Sequence, residues 1–157
     1  MGYPDQALTR IHKALALARE LSHPTTLAFA LNCAVELYQL RREVEVVHKQ
    51  AEALIALSTE QGLPYFLASG TIWLGWALVK QGLADGGVAQ IRHGLAVKRA
   101  GLEETYFLVV LAEACGRTGQ AEEGLAVVAE ALALVDKSGL RVFEAELYRL
   151  KGELSLQ

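Results

Sequence analysis

The sequence predicts an all-α fold, a solenoid of antiparallel helix pairs that occupies residues 1–157 as one domain. Three observations carry this expectation. Apolar residues recur at helical spacing along the chain, with no clean alternating run of strand type. Glycine and proline punctuate that pattern at near-regular intervals. Small residues recur once per pair of helices, the mark of a repeat architecture.

Taken in order, the punctuation divides the chain into eight helices, at 4–21, 24–40, 43–60, 63–81, 84–100, 102–118, 120–138 and 140–156. The first follows Pro4 and carries Leu8, Ile11, Leu15 and Ala18 on one stripe. Pro24 and Pro64 open the second and fourth, where a missing N–H costs least. Gly62, Gly82, Gly101, Gly119 and Gly139 each close a periodic segment, as residues suited to a left-handed helix end. Asp85-Gly86 is flanked by helical periodicity on both sides and so is not a hairpin turn. The carboxylates Glu103-Glu104 and Glu122-Glu123 sit at helix starts, where they complement the positive end of the helix dipole. In the last helix Phe143, Leu147, Leu150 and Leu154 form one stripe. Loops this short force successive helices into antiparallel pairs.

The internal repetition is read from the small residues. Ala34, Gly75, Ala112 and Gly152 fall in register in the first helix of each pair, which gives a period of 37–41. Ala14, Ala53, Gly94 and Ala131 do so in the returning helices, and leucine follows each of them. Small residues at such positions mark close backbone approach. The segments "LGWALVKQGLADGGVAQIRHGL" and "LAEACGRTGQAEEGLAVVAEAL" resemble the tetratricopeptide repeat (TPR), with its Leu-Gly/Ala, its turn glycine and its later Ala-Leu positions. That resemblance spans the chain and implies a right-handed superhelix. In "YQLRREVEV" Arg41 stands for the turn glycine and Val46 for the expected small residue, so this repeat departs most from the pattern. "GYPDQAL", "AEEGLAVVAEALALVDKSG" and "EAELYRLKGELSLQ" are similar to the carboxy-terminal repeat region of large bacterial signalling proteins, which carry ATPase, nucleotide-cyclase or DNA-binding domains elsewhere. Residues 4–21 read as the second helix of one pair and 140–156 as the first of another. The segment is therefore expected to belong to a longer protein or to have its uncapped ends covered by another copy, as a homo-oligomer.

Composition narrows the function classes. With 15 basic and 18 acidic residues the formal charge is −3, and Lys and Arg are dispersed, so neither a nucleic-acid face nor an anionic-membrane patch is expected. No signal segment is visible, and "YFLVVLA" is too short to span a bilayer. Cys33 and Cys115 lack metal or redox spacing and fall on apolar stripes as small hydrophobes, in keeping with a cytoplasmic location. His12, His23, His48 and His93 are scattered, with only Glu45 and Glu52 near His48, so no metal is expected. "SGTIWLG" and "ADGGVAQ" lack the lysine of a phosphate loop, and no cofactor is expected. Nothing marks the chain as an enzyme.

What remains is the inner face built by the first helices. The resemblance places groove positions at Leu31, Val35 and Tyr38 in one repeat and at Ile72, Trp76 and Val79 in the next. In the third they fall on Tyr106, Val109, Glu113 and Gly116, with Lys80 and Arg117 as positive charges near the helix ends. Aliphatic and aromatic residues stand where carboxylate-clamping members carry polar ones, so that activity is not expected. Tyr38, Trp76 and Tyr106 are either anchors for an apolar peptide or partner helix, or core between repeats. The function expected is a non-enzymatic protein-interaction scaffold serving a protein or peptide partner, or adjoining domains of a multidomain regulator. The alternative is a sensor binding a small apolar effector in the groove.

Overall fold

Helix-forming residues broken by a left-handed residue about every twenty positions leave the chain one course, which is to reverse at each break. The computed structural model describes residues 4–98 and 103–157. Among these it forms eight helices: α1 (Pro4–Glu20), α2 (Pro24–Leu40), α3 (Val44–Glu60), α4 (Pro64–Lys80), α5 (Ala84–Val97), α6 (Glu104–Arg117), α7 (Ala121–Ser138) and α8 (Glu144–Leu154). The fold is thus the all-α solenoid that the sequence predicts. Gly62, Gly82, Gly119 and Gly139 take positive φ as expected, while Gly101 lies outside the described residues.

Three of the turns share one hydrogen-bond pattern. Leu63 N–H donates to Ser58 O, Leu83 to Leu78 and Gln120 to Cys115, each closing a six-residue loop around the left-handed glycine. Glu43 N–H donates to Tyr38 O in the same manner, so the corresponding turn residue is Arg42, with φ of 60°. This corrects the reading of Arg41 as the turn residue; Arg41 is still right-handed, at φ −81°. The register shifts with it. Counting back seven residues from Arg42, Gly82 and Gly119 reaches Val35, Gly75 and Ala112, so Val35 rather than Ala34 matches Gly75. By the same register Leu54, fully buried, replaces the exposed Ala53 as the counterpart of Gly94.

Close approach is strongest between α4 and α5. A Cβ placed on Gly75 would lie 2.6 Å from Gly87 O, and one on Gly94 would lie 2.6 Å from Ala68 O. The two backbones touch with nothing between them, which only glycine allows. A Cβ placed on Gly152, in the same register, would meet nothing beyond its own helix within 4 Å among the described residues. The last helix starts four residues later than expected. Gly139 ends α7 by donating to Val135 O at 2.8 Å. Residues 140–143 then bridge to α8 so that Phe143 can stack on Tyr106, with ring centroids 4.9 Å apart and planes 7° from parallel.

The backbones of α2 and α4, α4 and α6, and α6 and α8 lie side by side, whereas those of α1, α3, α5 and α7 stand farther apart among the described residues, with α5 and α7 joined through the long side chains of Arg92 and Glu123 at 2.5 Å. The first helices are therefore more closely spaced than the returning ones. The stack curves toward them, making their row the inner side.

Candidate partner-binding cleft

Most of the row implied for the groove is interior. Leu31, Val35, Tyr38, Ile72, Trp76, Val79 and Val109 are all buried, with Val35 and Ile72 at 0% exposure and Trp76 at 2%. The cause is the direct packing of α2 on α4 and of α4 on α6, which closes the space between first helices over these side chains. As core residues they offer a partner no surface. Trp73, turned toward the next repeat, packs against Phe107 at 5.3 Å and Tyr106 at 5.6 Å. Tyr106 is half-buried, and its hydroxyl donates to Gln39 Oε1 at 2.5 Å across to α2. Burial pushes the Tyr106 phenol well above its ordinary range. Tyr38 closes the α1–α2 pair with a 2.8 Å hydrogen bond between its hydroxyl and His12 Nε2.

The polar members of the row do meet. Lys80, Glu113 and Arg117 lie with Arg42, Glu146, Arg149 and Glu153 around a cleft of about 650 Å³ on the inner side of α4, α6 and α8. Ala112, Gly116, Leu150 and Leu154 supply its aliphatic lining. Glu113 is the hub. Its Oε1 accepts from Lys80 Nζ at 2.5 Å and from Arg42 Nη1 at 2.9 Å, with Arg117 Nε at 3.8 Å. Burial pushes the Glu113 carboxyl up, but the Lys80 hydrogen bond and charge, then Arg42, outweigh it and hold the group below the usual carboxylate range. The Lys80 ammonium is nearly buried and lies 5.4 Å over the Trp76 ring. Across the cleft Arg149 grips Glu146 through Nε at 2.8 Å and Nη2 at 2.6 Å, and also pairs with Glu153. Arg42, Arg117 and Arg149 keep roughly half of their side-chain surface in solvent.

A second cluster carries no sequence signal. Lys98, at the end of α5, is buried at 6% exposure. Its Nζ donates to Ser69 Oγ at 2.7 Å and to Glu103, and it lies 3.9 Å over the Tyr65 ring and 4.5 Å over that of Phe107. Tyr65 hydroxyl donates to Glu103 at 2.9 Å. Burial, with that hydrogen bond to Glu103, pushes the Tyr65 phenol up to about 12. Burial and the charge of Glu103 raise the Glu36 carboxyl to about 6, against the opposing hydrogen bond from Asn32. A Ser–Lys contact invites comparison with nucleophile and base. Ser69, however, is 0% exposed, so no substrate reaches its hydroxyl in this conformation. The cluster ties α4, α5 and the start of α6 together.

The cysteines are similarly removed from chemistry. Burial raises both thiols; Cys115 is fully buried, whereas Cys33, expected on an apolar stripe, is only half-buried and is raised further by Glu36 and Glu103. His23 caps α2, accepting from Thr26 N–H at 3.3 Å, and His48 bonds Gln81 at 3.0 Å and lies 3.6 Å from Glu52. No group of three His, Cys, Asp or Glu side chains converges as a metal site among the described residues. No helix among them is long and apolar enough to cross a membrane.

No family model matches the chain, and no curated protein matches it. Two crystal structures share its fold, both of nearly identical TPR-like repeats from a Podosopora anserina protein described as a kinesin light chain. One, a single-substitution variant, superposes with a TM-score of 0.64 at 14% identity, over 98% of this chain and 80% of that one. The other gives 0.60 at 15% identity, over 98% and 86%. At this identity the similarity establishes a TPR-like helical-repeat fold.

Proposed function

We propose that the chain is a non-enzymatic protein-interaction module, and that a protein or peptide segment seats in the inner cleft between α4, α6 and α8. One observation carries this reading. The cleft joins an aliphatic lining to a rim of four cations and three carboxylates, on the concave side of a TPR-like stack. Such a rim offers a partner specificity and register, and the half-exposed guanidinium groups of Arg117 and Arg149 are the ones a partner's carboxylates would reach. Ser69, which accepts from Lys98, and the Cys115 thiol are both fully buried, which counts against either as a nucleophile. In sequence phrasing the chain is similar to the repeat region of large bacterial signalling proteins. The module therefore serves, in this reading, as one domain of a longer cytoplasmic regulator. An apolar small-molecule effector finds less support, because the apolar row it would use is core and the open cleft is rimmed by charge.

The test is a peptide selection. Peptides chosen from a display library on the 157-residue chain are expected to lose affinity by about tenfold or more in the Arg117→Glu, Arg149→Glu double variant. The melting temperature should barely move, since half-exposed ion pairs contribute about 0–1 kcal/mol. Selected peptides that bind the double variant as well as the unaltered chain would overturn the proposal.

A further inference from the structure

The rim of the inner cleft carries one more cation than carboxylates, and the surplus sits on one side chain. Lys80 and Arg42 share the Glu113 carboxylate at 2.5 and 2.9 Å, and Arg149 holds both Glu146 and Glu153. Arg117 comes no closer than 3.8 Å to Glu113 Oε1, an oxygen that already accepts twice, and 54% of its side chain is in solvent. Among the described residues it is the rim cation with no carboxylate at hydrogen-bond distance. Its planar fork of donors suits a carboxylate that arrives from outside.

A second hollow of about 240 Å³ opens beside the first on the same inner side. The stacked rings of Tyr106 and Phe143 form its wall, and Leu40, 68% exposed, forms its lip. Arg42, Glu113 and Glu146 line both hollows, so the two make one trough, apolar at one end and cationic at the other. Helix α6 supplies both Tyr106 and Arg117 and lies between α4 and α8, which places the two ends of the trough inside the stack. Tyr106 precedes Glu113 by seven residues and Arg117 by eleven, about 10 and 16 Å along the helix. The Arg117 guanidinium leans back toward Glu113, so its donors fall between those limits. An extended chain rises about 3.3 Å per residue and covers that span in about three to five.

We propose that the occupant of the trough is an extended segment of another protein with an apolar and an acidic side chain about three to five residues apart. The apolar side chain fills the Leu40–Tyr106–Phe143 hollow, and the aspartate or glutamate pairs with Arg117. The proposal rests on the cleft reading above and adds the chemistry of what the cleft takes. One surplus positive charge matches a single carboxylate, whereas a phosphate, carrying nearly two negative charges, would also meet Glu113, Glu146 and Glu153. The trough is open along its length, so the chain passes over Arg117 instead of ending there, and the carboxylate belongs to a side chain.

Peptides selected on the 157-residue chain from a random display library are the probes, with affinity read by fluorescence anisotropy. Those that lose affinity in the Arg117→Glu, Arg149→Glu double variant are expected to share an apolar and an acidic residue at the stated spacing. Replacing that apolar residue by alanine should weaken binding about thirtyfold, as for an interface anchor. Replacing the acid by its amide should weaken it about fivefold, the upper range for a half-exposed ion pair. Arg117→Gln should cost the parent peptide the same fivefold or so and leave the amide peptide unaffected. Leu40→Ser should likewise weaken the parent peptide and spare the alanine peptide. Both positions are exposed, and circular dichroism verifies folding. Cleft-dependent peptides without such a pair, or an Arg117→Gln loss that persists with the amide peptide, would overturn the proposal and leave the cleft reading standing. So would a loss on amidating the peptide C-terminus equal to that of the acid, because it would put a chain terminus on Arg117. Peptides indifferent to the double variant, or a selection that yields none, would remove the cleft reading and the proposal with it.

Discussion

At the scale of the residue, Arg42 is where sequence and backbone disagree most sharply. It holds a left-handed conformation, φ 60°, that Gly62, Gly82, Gly119 and Gly139 hold at the ends of other helices. An L-residue there is destabilised by about 1–2 kcal/mol, and the half-exposed Arg42–Glu113 pair offsets that by at most about 1 kcal/mol. Arg42→Gly is therefore expected to leave stability unchanged or raise it by up to about 1 kcal/mol in urea unfolding. A loss larger than that would show that Arg42 holds the Glu113 hub more firmly than its exposure suggests. Glu36 gives a second prediction. Its folded pKa, about 6, lies above the ordinary value of 4.5, so the folded state binds the proton more tightly. The stabilisation from that proton is complete below pH 4.5 and is lost as pH rises through about 6. Glu36→Gln should thus be more stable than the unaltered chain at pH 8, by about 1–2 kcal/mol, and the advantage should vanish near pH 4. A difference independent of pH would remove the carboxylate as its source. Neither Glu36 nor Lys98 was legible beforehand. A lone lysine near a helix end is normally solvated, and the burial of Lys98 arises from α4 and α6 closing over it, which no local pattern encodes.

At the scale of the element, helix boundaries were readable because they rest on local chemistry, namely proline at first turns and glycine at left-handed turns. Register was read less well. Alignment by side-chain size chose Ala34 and Ala53, whereas the backbone turn assigns Val35 and Leu54. Size is a weak guide where a neighbouring helix can retreat to admit a valine. The inner face was legible in its charges, Lys80, Glu113 and Arg117, but not in its apolar row, because the spacing between first helices is a tertiary quantity. One register position now predicts opposite signs in two helices. Gly75→Ala forces a methyl to 2.6 Å from the Gly87 carbonyl oxygen and must push α4 from α5, costing about 1–3 kcal/mol or more. Gly152→Ala meets open space and gains helix propensity, about 0.5–1 kcal/mol of added stability. Chemical denaturation of the two variants at micromolar concentration reads both, and a shared sign would refute the contact geometry.

At the scale of the whole molecule, stability has to follow the stacking order, because each helix touches only its near neighbours. Opening α4 disrupts contacts to α2, α3, α5 and α6, whereas opening α1 disrupts contacts to α2 alone. Amides of α4 should therefore exchange slowest. Those of α1 should exchange faster by at least about 2 kcal/mol of opening free energy, roughly thirtyfold in rate. Between α4 and the end of the stack, α8 is held by α6 and α7, and so should fall in between. A uniform protection profile would mean that the eight helices open as one cooperative unit and that the nearest-neighbour picture fails.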